Sequence, residues 1–154
     1  ERRIERLLNP DLSGLPAFLA THPGLESGYM IAQVTAVDLL GEMRALAHPV
    51  SVDSAPTSAN QEDHVSMGLA AARKARRSVE CLQYVLAVEL LCGARALEHR
   101  RPLRSGPAVE AVYERIRERA PAREGDRPLA DELEAVKELV AEGGLTPAAL
   151  GSQE

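Results

Sequence analysis

The sequence predicts an all-α fold, a bundle of long helices, and three observations lead there. Alanine, leucine, glutamate and arginine dominate the 154 residues, and these side chains lose little rotamer freedom in a helix. Aromatics make up only 3% of the chain, and β-branched residues are too scattered for a large sheet. Two long segments, near 27–47 and 68–100, carry apolar residues around most of a helical circumference. That is the pattern of helices buried in a large core. The length suits one domain or a piece of one.

The elements follow in chain order. Glu1 to Leu8 has helical spacing and is stopped by Asn9-Pro10. The chain opens already in that pattern and without an initiator methionine, as expected of a stretch from within a longer protein. Asp11 to Pro23 reads as a linker leading to a tight His22-Pro23-Gly24 turn. Ser27 is placed to cap a helix running to about Ala47, with Tyr29, Met30, Ile31, Val34, Val37, Leu39 and Leu40 wrapping it. His48-Pro49 ends it. Asp38, inside this helix, calls for a partner if buried. Gly68 to about Arg100 is the longest pattern, and some 30 residues span about 45 Å. Such a helix exceeds what a compact domain of this size needs, so it is expected to pack against other chains or segments. Ala108 to Arg119 is amphipathic, with Val109, Val112, Tyr113 and Ile116 on one face. Leu129 to Glu142 is a second short amphipathic helix, with Leu133, Val136, Leu139 and Val140 inward, ended by Gly143-Gly144. The expected division is 1–100, long core helices with a loop at 49–67, and 101–154, a helical hairpin and tail.

Several function classes are disfavoured. The net charge of −5 argues against wholesale nucleic-acid binding, and the basic cluster Arg73-Lys74-Ala75-Arg76-Arg77 reads as a solvated or interface helix face. No apolar run reaches the roughly 18 residues of a membrane span. The histidines lack metal-ligand spacing and neither cysteine pairs with one, so no metal is expected. Cys81 and Cys92 lie on one predicted helix and cannot bridge each other there. Both read as small core residues in a reducing, cytoplasmic protein.

The segment from Ser51 to Gly68 stands apart. It is polar and nearly charge-free until it ends in Asn60-Gln61-Glu62-Asp63-His64. A connection this long between helices is functional or disordered, and its flanks favour an ordered loop that places these five residues in a protein interior. Adjacent side chains point different ways, so one can face a cavity while its neighbours support it. On physics alone a carboxylate just ahead of a helix is equally a cap or a dipole partner. Ser54, Thr57 and Ser58 are expected to bond to loop backbone rather than to act as nucleophiles.

Gly24 to Ala36, Leu46-Ala47-His48-Pro49, Ser51 to Ser54 and Pro56 to Met67 closely resemble the histidine ammonia-lyases, members of the aromatic amino acid ammonia-lyase family. Glu1 to Ile4 and Ser13 to Leu19 are similar to the family just upstream, and Asp126-Arg127-Pro128 with Ala130-Asp131 resembles its C-terminal hairpin more loosely. The resemblance implies an all-helical homotetramer and places this chain at the C-terminal portion of the enzyme. It implies conversion of L-histidine to trans-urocanate and ammonia by an electrophilic methylidene-imidazolone (MIO), formed from an internal Ala-Ser-Gly. No Ala-Ser-Gly occurs here; the electrophile and the main substrate-binding residues are expected from the N-terminal part, so the fragment alone is not expected to catalyse.

The resemblance gives Glu62 the catalytic position, beside electrophile and substrate, with Gln61 and Asn60 orienting the loop. The related phenylalanine and tyrosine lyases carry glutamine at the matching place. A carboxylate accepts a hydrogen bond from imidazole N–H or handles a proton at the amine, and burial raises its pKa toward neutrality. Asp63 and His64 are expected to bond to the loop and the helix start. The sequence departs from the family pattern at Val37-Asp38-Leu39 and near Met43. The alternatives are a phenylalanine or tyrosine lyase or aminomutase relative, and a non-catalytic helical assembly module.

Overall fold

The computed structural model describes residues 1–146 and 150–151, so part of the expected tail, 147–149 and 152–154, lies outside them. Among the described residues the chain forms six α-helices: α1 (Arg2–Leu8), α2 (Pro10–Ser13), α3 (Met30–Leu46), α4 (Gly68–Glu98), α5 (Pro107–Arg119) and α6 (Ala130–Ala141). A 3-10 turn at Ala17–Leu19 lies between α2 and α3. There is no sheet among them, only two isolated bridges.

The later part of α4 is the spine. Cys81, Val85, Val88, Leu91 and Cys92 are buried along it, and Ile4 and Leu8 of α1, Ala32 and Ala36 of α3, Ile116 of α5, and Val136 and Leu139 of α6 close on it. The helical spacing of these residues is what makes each helix present one apolar stripe. Alanines at 32, 36, 87 and 94 are buried, and such small side chains let helices approach closely. Both cysteines are buried and free, in keeping with their reading as core residues.

Several expectations are corrected. Ser27 does not cap α3: the N-cap is Tyr29, without a side-chain bond. The Ser27 and Gly28 N–H groups donate instead to the Asp126 carboxylate, at 2.8 and 2.9 Å. The linker-like 11–23 stretch is built, because Asn9 accepts from the Asp11 N–H and starts α2. The apolar girdle of α3 is not buried within this chain. Ile31, Val34 and Val37 are 60, 58 and 47% exposed, since α3 meets α4 along one side and water along the other. Asp38 lies on that open side and is exposed, so it has no need of a buried partner. On α5, Val109 is exposed while Glu110 is buried.

Candidate active-site loop

The loop hangs between the end of α3 and the start of α4. Two ties set the distance between those helix ends. Arg77 of α4 grips Glu42 of α3 through two parallel bonds, Nε to Oε1 at 2.6 Å and Nη2 to Oε2 at 2.9 Å, a geometry that suits guanidinium and carboxylate. The bonded Arg77 holds the Glu42 carboxyl below its ordinary range. Lys74 Nζ donates to the His48 carbonyl, the last carbonyl before Pro49. The basic cluster is thus an exposed face that also braces the loop.

Within the loop, the Ser54 hydroxyl bonds both main-chain groups of Val65: it accepts from the N–H at 2.8 Å and donates to the carbonyl at 3.1 Å. Inside that closure Thr57 and Glu62 pair antiparallel, Thr57 N–H to Glu62 O at 3.0 Å and Glu62 N–H to Thr57 O at 3.3 Å. The turn between them is unusual. Ser58, Ala59 and Asn60 are all left-handed, with φ of 54, 55 and 68°. Each such non-glycine residue costs about 1–3 kcal/mol and persists only where its surroundings hold it. Met67, at φ 54°, turns the chain into α4.

The backbone of Glu62 is therefore fixed at both its N–H and its carbonyl, and its side chain is not. Glu62 is exposed, as are Asn60, Gln61, Asp63 and His64. The expected interior is not provided by this chain, because its core forms around the far part of α4 and the loop projects beyond it. The burial expected for the Glu62 carboxylate does not occur within this chain. The side chains of Asn60 and Gln61 make no hydrogen bond among the described residues, and Asp63 and His64 do not cap α4, whose N-cap Met67 has no side-chain bond. Ser54 and the Thr57 backbone hold the loop instead. Ser54 is legible as a backbone-bonding serine; the Arg77–Glu42 tie, 35 positions apart, has no local signal.

Three further polar groups stand outside the loop. Asp126 anchors the entry to α3, and its two N–H donors, Ser27 first and then Gly28, hold its carboxyl below the usual range. Arg101 and the Ser105 N–H hold Glu110 down to about 2. Arg127 grips Glu132 at 2.6 and 2.9 Å. Among the described residues no cluster of three or more His, Cys, Asp or Glu is arranged to hold a metal ion, and no helix is long and apolar enough to cross a membrane.

The helical scaffold thus carries a carboxylate on a braced hairpin between two long helices. The chain belongs to the aromatic amino acid lyase family, which it matches over residues 1–118. It is 59% identical to the histidine ammonia-lyase of Symbiobacterium thermophilum over 148 residues, 96% of this chain and 29% of that protein. It is 54% identical to that of Natranaerobius thermophilus over 146 residues, 94% of this chain and 29% of that protein. The chain thus spans less than a third of the curated relatives it matches. The crystal structure of histidine ammonia-lyase from Trypanosoma cruzi superposes with a TM-score of 0.91 at 44% identity, over 97% of this chain and 29% of that one. Tyrosine aminomutase from Streptomyces globisporus superposes at 0.92 with 38% identity, over 99% of this chain and 30% of that one.

Proposed function

We propose that this chain is a segment of a cytoplasmic, homotetrameric histidine ammonia-lyase that converts L-histidine to trans-urocanate and ammonia in histidine catabolism, and that Glu62 is its catalytic contribution. The observation that carries the reading is the carboxylate of Glu62 on a backbone fixed at both ends, in a chain 59% identical to a histidine enzyme. This chain contains no Ala-Ser-Gly, so the MIO group would not form from its residues. That group supplies the electrophile, and it belongs to the rest of the enzyme. The loop fits the complementary role, because the Glu62 side chain stands open on its fixed backbone, free to enter a site completed by other segments. Ionised, Glu62 accepts a hydrogen bond from the imidazole N–H of histidine and sets its orientation. Enclosed with substrate, it also exchanges a proton with the amine. Gln61 and Asn60, beside it on the turn, line the same approach.

The test is turnover of L-histidine by the full-length protein, followed by urocanate absorbance in the ultraviolet. Glu62→Gln lowers kcat by roughly 10²–10⁴-fold, the usual worth of a positioned acid–base group. Unchanged turnover would remove the assignment. The likeness to tyrosine aminomutase supports a second reading, a lyase or aminomutase acting on tyrosine or phenylalanine. A phenyl ring offers a carboxylate no donor, so a substrate panel should find L-histidine turned over and L-phenylalanine untouched.

A further inference from the structure

We infer that Ser54 is the positioning residue for Glu62, an inference that rests on the reading of Glu62 as catalytic. One hydroxyl satisfies both main-chain groups of Val65, 11 residues away, and so closes the base of the hairpin. The Thr57–Glu62 pairing lies inside that closure. Glu62 is consequently three residues from the anchored Val65 and paired with Thr57, itself three residues from Ser54. The rest of the turn opposes this placement, because Ser58, Ala59 and Asn60 sit in left-handed backbone that serine and alanine disfavour. Without the Ser54 clasp, the segment has a lower-energy extended alternative, with the two Thr57–Glu62 bonds and the Gln61 N–H to Ser58 O bond within the turn against it. Ser54 is half-buried, whereas the residues around it, from Ser51 to His64, are exposed. The helix ends are held separately by Arg77 and Glu42, so losing the clasp loosens the loop and leaves the bundle intact.

The experiment uses full-length protein and L-histidine. Ser54→Ala removes both bonds to Val65 and lowers kcat roughly ten- to a hundredfold, the scale of a misplacement of about 1 Å. KM changes less and the melting temperature holds. Ser54→Thr, which keeps the hydroxyl, recovers most of the turnover. Adding Ser54→Ala to Glu62→Gln gives no further loss, because the group it positions is already gone. Wild-type turnover in Ser54→Ala overturns the inference, and so does an equal additional loss in the Glu62→Gln background, which would mark a general structural role. If Glu62→Gln itself retains full turnover, the reading of Glu62 fails and takes the role of Ser54 with it. A silent Ser54→Ala beside a crippled Glu62→Gln removes Ser54 alone.

Discussion

Gly28 shows how one residue can be fixed by two distant partners. Its φ is +55°, and a Cβ there would lie 2.5 Å from the Phe18 carbonyl oxygen. Its N–H is held by Asp126, and the next N–H, of Tyr29, reaches the same Phe18 oxygen at 2.9 Å. A side chain would force apart the turn that starts α3. Gly28→Ala should therefore destabilise the protein by about 1–3 kcal/mol in denaturant unfolding. Gly41 is the control: it lies inside α3 with nothing within 4 Å of an added Cβ, and Gly41→Ala should stabilise by about 0.5–1 kcal/mol. Neither constraint on Gly28 is legible in the sequence. Phe18 and Asp126 are distant along the chain, and a glycine beside a serine reads only as a turn. The loop is half legible: residue types mark Ser54 as a backbone binder, whereas Glu62 is singled out by the family resemblance and not by its residue type, and nothing in the sequence tells that the side chains of Asn60, Gln61, Asp63 and His64 stay exposed.

At the scale of elements, periodicity carries most of the outcome. The bounds of α4, α5 and α6 fall within a residue or two of the apolar patterns that predict them, because helix formation and its stops at Pro and Gly are local. What the pattern misses on α5 is an acid. Glu110 receives Arg101 on both oxygens at 2.9 Å and the Ser105 N–H at 2.8 Å. The turn from 101 to 106 folds back over the first turn of α5, where a carboxylate also suits the helix dipole. Its pKa is lowered from 4.5 to about 2, first by Arg101, then by Ser105. A carboxyl depressed on folding contributes stability above its unfolded pKa and loses it as pH falls through the folded one. Glu110→Gln should therefore lower the melting temperature at pH 7, and its deficit against wild type should shrink between pH 4.5 and 2. A deficit independent of pH over that window would show that packing, not charge, is what Glu110 supplies.

Across the whole molecule, the core forms around the later part of α4, and the loop that carries Glu62 leads into its opposite end. No residue of α4 before Cys81 is buried, and eight from Cys81 to Ala96 are. Leu91→Ala should cost about 2–5 kcal/mol as a cavity among several helices, whereas Leu69→Ala, at a residue 67% exposed, should leave unfolding of this chain nearly unchanged. Apolar pattern weighs both leucines equally, because it says that a surface is covered without saying by what. That is why the fold class is legible and the exposure of α3, of the start of α4 and of the loop is not.

Mechanically, α4 is a cantilever. From Cys81 to its first residue it runs about 20 Å without core support, so a tilt of about three degrees at the root swings the free end by about 1 Å. The Arg77–Glu42 pair is a strut from this arm to α3, so where the hairpin sits depends on the angle between the two helices as well as on its own bonds.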